Sequence, residues 1–265
     1  MTLTKNILKP SEDTQNTYPL RKVFLQPLFG KPYSWTQRYL DNIAQVEGYD
    51  WKIFTPHKLR GGKNTEIISM HIGTFDKLVW QASRIDPENY IEGEAPHKNL
   101  TDFYPAYGDI FKRYISDYDY WGHTNWDCVY GRLDHFLPDS ELAKCDIWAD
   151  ESNAVNGTFS LYRNDTKINK LYQEVDGWQE VFKSHKLFGF DETTFSDYAV
   201  KEGYVTNPPH YPFHSYDRFP THIREPQLEY TDGRLYEIFE DAVTLRKVGK
   251  EIMWYHFSYS KRWPL

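Results

Sequence analysis

Asn125-Trp126-Asp127 sets two oxygen-bearing side chains at i and i+2 about a bulky spacer. If the backbone kinks between them, both can approach one hard cation. Such a pair suits Mg²⁺ or Mn²⁺ when the oxygens of a diphosphate complete the coordination. Most acidic triplets of this kind are solvated turns. This one is flanked by apolar runs, Tyr120-Trp121-Gly122 before it and Cys128-Val129-Tyr130 after it. A second group, Asp191-Glu192, follows Leu187-Phe188-Gly189-Phe190. Adjacent carboxylates can divide the work, one as general base and the other as orienting group. Desolvation and like charge raise one proton affinity toward neutrality. The plainer reading makes Asp191 the cap of a helix starting at Glu192, and both can hold together. His256 lies in a closing apolar strand, Ile252 to Phe257, where an imidazole can be a metal ligand or a diphosphate contact. A core histidine bonded to a carbonyl is the commoner case, and His123 shares the ambiguity. Asp102, ahead of Phe103-Tyr104-Pro105-Ala106-Tyr107-Gly108, reads as a helix start.

The elements that must position these groups begin at Arg21–Pro27, a short β-rich run. Ser34-Trp35-Thr36-Gln37 is a capping-box pattern. It opens a helix with Trp35, Tyr39, Leu40, Ile43 and Ala44 on one face, closed by Gly48. Tyr49–Thr55 is a second strand. Strand, helix and strand in this order predict a βαβ opening and a parallel sheet. Glu66–Met70 reads as a third strand, Thr74–Ile85 as a helix, Asp86–Pro96 as a loop and Asp109–Ile115 as the end of another helix. A strand that ends in polar residues and resumes after Asp127 suits a site at the carboxyl edge of an α/β sheet. Farther on, Phe136–Lys144 and Ile168–Val181 read as helices, Cys145–Ala149 and Gly157–Tyr162 as strands. Pro208–Pro220 reads as a loop, Arg234–Lys250 as a hairpin turning at Gly249, and Lys261-Arg262 as a basic tip. There is no internal repeat or low-complexity segment. The expected organisation is a polar tail over residues 1–20 and one domain over 21–265.

Composition sets the outer limits. The chain has 265 residues with 40% apolar and 26% charged side chains, enough to bury a core. No apolar run is long enough for a transmembrane helix. The two cysteines, Cys128 and Cys145, support neither a disulfide scaffold nor a zinc cluster, so a reducing, cytoplasmic location is expected. A net charge of −7 argues against nucleic acid as partner. Aromatic residues reach 17%, a surplus suited to stacking sugars or bases as well as filling a core.

The segment Leu100–Leu133, LTDFYPAYGDIFKRYISDYDYWGHTNWDCVYGRL, resembles the central motif of a glycosyltransferase-like family of bacterial surface-polysaccharide loci. The similarity continues through Asn156-Gly157-Thr158-Phe159-Ser160-Leu161-Tyr162-Arg163-Asn164, Phe190-Asp191-Glu192 and Tyr255-His256-Phe257. It also takes in the opening strand–helix–strand that ends at Ile53-Phe54-Thr55, so it covers the chain from about Lys22. It implies an α/β fold of GT-A type: a Rossmann-like αβα sandwich with a mostly parallel central sheet and a DxD-like metal motif. It further implies donor contacts at Asp102, Asn125, Thr55 and Gly157, metal ligation of Mn²⁺ or Mg²⁺ by Asp127 and His256, and catalysis by Asp191 and Glu192. The implied partners are a UDP- or GDP-linked sugar donor and a saccharide or lipid-linked saccharide acceptor, with peripheral contact at the inner membrane surface. Asn125 departs from the pattern, replacing the first Asp of DxD and removing one negative charge. Asn99 and Tyr104 stand where lysines are frequent, and Pro56 where an Asp often follows the second strand. Two rival readings remain. One is a non-catalytic carbohydrate-binding protein, which predicts no nucleotide affinity. The other is a nucleotide-sugar hydrolase or degenerate donor-binding protein.

Overall fold

Lys22–Pro27 (β1) is buried at every position, so its side chains alternate between two cores rather than between core and water. Val23 and Leu25 face one core with Phe54, Phe75, Tyr107 and Phe111, while Phe24 faces the other with Tyr39, Ile43 and Trp51. A strand covered on both faces belongs at the centre of an α/β sheet. Asp50–Thr55 (β2) pairs parallel with one edge of β1, and Thr65–Ser69 (β3) pairs parallel with β2. The chain then returns to lay Tyr120–Thr124 (β4) parallel against the opposite edge of β1. Cys128–Tyr130 (β5) leaves this sheet. The sheet continues through Ile147–Ala149 (β6), Phe159–Arg163 (β7) and Val205–Thr206 (β8), giving the order β3-β2-β1-β4-β7-β6-β8. Only β7 runs against its neighbours.

This computed structural model describes residues 19–85, 100–149, 154–184, 186–206, 214–216, 227–240, 247–257 and 264–265. The expected tail up to residue 18, the loop 86–96, most of the loop 208–220 and the tip at Lys261-Arg262 lie outside them. Thr36–Ile43 (α1) sends Tyr39, Leu40 and Ile43 into one core, and Ile72–Ser83 (α2) sends Phe75, Leu78 and Val79 into the other. Helices on both faces of a mostly parallel sheet make an α/β sandwich, as the sequence implies. Among the described residues, no helix is long and apolar enough to cross a membrane.

Several local expectations change. The capping box does not form: Trp35 holds the N-cap position of α1 without a side-chain bond. The helix expected over 168–181 is three short pieces, Thr166–Asn169, Leu171–Glu174 and Trp178–Lys183; Gly177, at φ +82°, cannot continue a helix and separates the last of them. The helix expected over 136–144 likewise divides into Leu133–Phe136 and Asp139–Leu142, on either side of Pro138. At the C-terminal end come His214–Tyr216 (β9), Gln227–Thr231 (β10), Arg234–Glu240 (β11), Lys247–Ile252 (β12) and Trp254–His256 (β13). β10, β11 and β12 form an antiparallel meander, and β13 lies between β5 and β9. Gly249 is not a turn residue. It sits within β12, paired with Ile238. A third core of Trp35, Val129, Leu235, Ile252, Tyr255 and Phe257 joins the meander to β5. Arg132 adds a two-pronged bond to Glu251, at 2.9 and 3.1 Å.

Candidate active site

β4 ends at Thr124 and β5 begins at Cys128, so Asn125-Trp126-Asp127 is the whole connection between them. The spacer does the positioning. Trp126 is buried, its indole N–H donates to the Pro27 carbonyl at 3.2 Å, and its own carbonyl accepts from the Trp35 indole at 2.9 Å. With the middle residue pinned inward, Asn125 and Asp127 both come to line one cavity. Asn42 fixes the far side of the turn, bonding the carbonyl and the N–H of Tyr130 at 3.0 and 2.9 Å.

Strand pairing explains how His256 arrives here from 129 positions along the chain. β13 lies antiparallel to β5 with His256 opposite Cys128, and the Phe257 N–H donates to the Asp127 carbonyl at 2.9 Å. The His256 Nε2 stands 3.2 Å from Asp127 Oδ1. Asp127, Cys128 and His256 form a group whose ligand atoms lie within 4.8 Å of one another. Burial pushes the Cys128 thiol up.

The cavity measures about 360 Å³ and is lined by Gln26, Lys31, Tyr33, Tyr104, Asn125 and Asp127 among others. It opens at the carboxyl ends of β1 and β4, where the chain order of the sheet reverses direction. Open α/β sheets bind ligands at such a switch point. Tyr33 stands 44% exposed, its ring stacked on Trp35 at 4.9 Å. Asn125 is held on both sides: its Oδ1 accepts from the Tyr104 hydroxyl at 3.0 Å, and its Nδ2 donates to Thr158 Oγ1 at 3.4 Å.

The acid pair forms a second group, outside the residues that line the cavity. Asp191 is buried and Glu192 is exposed. Burial, then the Glu192 charge, pushes the Asp191 carboxyl well above the usual range. Asp191 does not cap the next helix, Thr194–Lys201, whose N-cap position belongs to Thr193 without a side-chain bond. Gly157 lies against both acids. A Cβ there would stand 2.3 Å from Glu192 Oε1 and 2.6 Å from Asp191 Oδ2, so only glycine admits this approach. The neighbouring Thr158 reaches Asn125, and Tyr104 feels the charges of both Asp191 and Asp127. Residues 157–158 and Tyr104 therefore connect the two groups.

The structure thus brings Asn125, Asp127 and His256 into one group and Asp191, Glu192 and Gly157 into another; of these six, Asn125 and Asp127 line the cavity. Three expected donor contacts, Thr55, Asp102 and Gly157, do not line the cavity. Thr55 is fully buried at the end of β2, one strand away, and its hydroxyl accepts from the His57 N–H at 3.2 Å. Asp102 is also buried, and its two carboxylate oxygens accept from the N–H groups of Phe188 and Phe190. Gln26 and Tyr104 were not expected at the site. A polar Gln26 inside a buried strand and a hydroxyl in the Phe103–Gly108 run were the available signals.

His123 proves to be a core residue. Its ring stacks on Tyr104 at 4.1 Å and its Nε2 lies 3.2 Å from the Asn156 carbonyl. Burial pushes its pKa down to about 3. The unfolded chain, near 6.5, takes up a proton first as pH falls. The stability this neutral histidine contributes is therefore complete above about pH 6.5 and is lost between about 6.5 and 3. Urea unfolding across that window should show a wild-type slope up to about 1.4 kcal/mol per pH unit steeper than that of His123→Gln. Parallel profiles would contradict the buried, neutral state.

No curated protein matches the chain. Among solved structures it is similar to the galactosyltransferase LgtC in complex with donor and acceptor sugar analogues, with a TM-score of 0.43 and 12% identity over 90% of this chain and 87% of that one. It is similar also to an active-site mutant of LgtC, with a TM-score of 0.44 and 11% identity over the same shares of each chain. The model of a family of unknown function, DUF6625, matches residues 24–262, nearly the full length, and the chain belongs to that family.

Proposed function

We propose that this chain is a glycosyltransferase that moves a sugar from a nucleoside diphosphate, UDP or GDP, to a hydroxyl of a saccharide or lipid-linked saccharide acceptor in surface glycan synthesis. The sequence resemblance over Leu100–Leu133 suggests the class. The observation that carries the reading is the cavity at the switch point of the sheet, where an amide, a carboxylate and an adjacent imidazole converge. A lipid-linked acceptor would bring the chain to the cytoplasmic surface of the inner membrane.

The residues fit a divalent cation. Two ligands at right angles around an ion, each about 2.1 Å away, stand about 3.0 Å apart. Asp127 Oδ1 and His256 Nε2 stand 3.2 Å apart. These two residues would hold Mn²⁺ or Mg²⁺, which when bound offsets the charge that develops on the departing diphosphate. Asn125, oriented by Tyr104 and Thr158, faces the donor's ribose or sugar. Glu192 is the exposed member of the acid pair and takes the proton of the acceptor hydroxyl. The acceptor oxygen bonds to the anomeric carbon as the bond from that carbon to the phosphate oxygen breaks, and its electron pair leaves with the diphosphate. A single displacement of this kind inverts the anomeric centre. Asp191 supports Glu192 from behind, against Gly157.

Calorimetry with UDP and GDP, each with and without Mn²⁺, tests the reading. Binding of one nucleotide, strengthened by Mn²⁺, is the expected result. Absence of binding by both overturns it in favour of a sugar-binding protein.

A further inference from the structure

We infer that Asp102 is a positioning residue for the acid pair: its buried carboxylate clamps the backbone of Phe188–Phe190 and so sets where Asp191 and Glu192 stand against Gly157. The clamp rests on geometry alone. Its kinetic consequence rests on the glycosyltransferase reading.

Asp102 is 1% exposed and sits in the short turn of 3₁₀ helix Thr101–Ala106. Its Oδ1 accepts from the Phe190 N–H at 2.8 Å and its Oδ2 from the Phe188 N–H at 2.9 Å. Between them Gly189 adopts φ +64°, which bends the backbone so that both flanking N–H groups meet one carboxylate. A buried carboxylate is costly unless its oxygens are satisfied; burial pushes the Asp102 carboxyl up, and the bonds from the loop oppose that shift. The clamped residues in turn carry the acids. The Gly189 carbonyl accepts from the Glu192 N–H at 3.1 Å and from the Thr193 N–H at 3.0 Å, and the Phe190 carbonyl accepts from the Phe195 N–H at 3.0 Å. From the opposite side, the bare backbone of Gly157 lies against both acids, where any Cβ would meet them. Ser196, on the helix that follows, accepts from the Val155 N–H at 2.8 Å and holds the Gly157 segment to the same unit. The turn that carries the acid pair is therefore held by Asp102 on one side and packs on Gly157 on the other.

The groups that bear electrostatically on Asp191 are Glu192 on its own turn, Asp102 from the Thr101–Ala106 turn, Tyr104 beside it and Tyr162 on β7. Removing the Asp102 charge should therefore ease ionisation of Asp191.

Asp102→Asn is the test. It preserves shape but turns an N–H toward one of the two amides, replacing a bond with a donor–donor contact. Native-state hydrogen exchange at Phe188 or Phe190 should quicken at least about tenfold. Release of UDP or GDP from a panel of UDP- and GDP-hexoses, with water as acceptor, should fall at least about tenfold in kcat. The calorimetric Kd for UDP or GDP with Mn²⁺ should stay within about twofold of wild type, since the clamp touches no donor. The ¹³C-carboxyl titration of Asp191 should move to lower pH. Unchanged exchange at both amides overturns the inference. So does a weakened donor Kd with kcat intact, because Asp102 would then be a donor contact. If Asp102→Asn does not fold, Gly189→Ala displaces the same turn without touching a charge. It should lower kcat with Kd retained, and wild-type kcat in that variant overturns the inference. If wild-type protein turns over no donor in the panel, the glycosyltransferase reading fails, while the exchange measurement still decides the clamp.

Discussion

Asp127→Ala is expected to lose Mn²⁺-dependent binding of UDP and GDP, with affinity falling by more than about 100-fold. Loss of a residue that merely supports a metal ligand costs about 10- to 100-fold, and Asp127 is assigned to the ligand position itself. Asn125 is neutral, so Asp127 is the single charged side chain on the Asn125–Asp127 turn. No other residue of that turn can replace it. The fold should survive, because β13 keeps its pairing with β5 and the bond from the Phe257 N–H to the Asp127 carbonyl, neither of which needs the Asp127 side chain. Calorimetry on the variant, with circular dichroism to confirm folding, checks this. Retained Mn²⁺-dependent binding would remove Asp127 from the metal site.

Glu192→Gln should lower turnover by about 10²–10⁴-fold while donor affinity stays near that of wild type, the loss typical when a general base is removed. Asp191→Asn should do less. Burial and the Glu192 charge favour the protonated Asp191 carboxyl, and a neutral amide resembles a neutral carboxyl in shape and charge. Its expected cost is under about tenfold. The two variants separate three cases by kinetics. A large effect from Glu192→Gln alone supports its role as the base. A large effect from Asp191→Asn alone moves that role to Asp191. Small, equal effects deny a general base to the pair altogether.

The parts of the fold that are legible in the sequence are those decided by local pattern. The strand–helix–strand from Arg21 to Thr55 follows from apolar periodicity, and the Asn125-Trp126-Asp127 turn stands out because polar residues interrupt two buried runs. Elements decided by distant partners are not legible. Asp102 precedes an aromatic run as a helix cap would, yet its carboxylate is satisfied by amides 86 and 88 residues away. Thr55 ends its strand as a donor contact would, but β2 lies one strand beyond the switch point. Gly249 resembles a turn residue, although register places it inside β12 against Ile238. Asp191 shows the converse. Its place before a helix suggests a cap, and what it packs against is the bare backbone of Gly157, which comes from a separate segment.

A crystal structure with UDP or GDP and Mn²⁺ bound tests the central claim most directly. The diphosphate is expected beside Asp127, with the ion about 2.0–2.2 Å from an Asp127 oxygen and from His256 Nε2. The rest of the donor is expected in the cavity between Gln26, Tyr104 and Asn125. A nucleotide bound away from the carboxyl ends of β1 and β4, or an ion held by neither Asp127 nor His256, would contradict that claim.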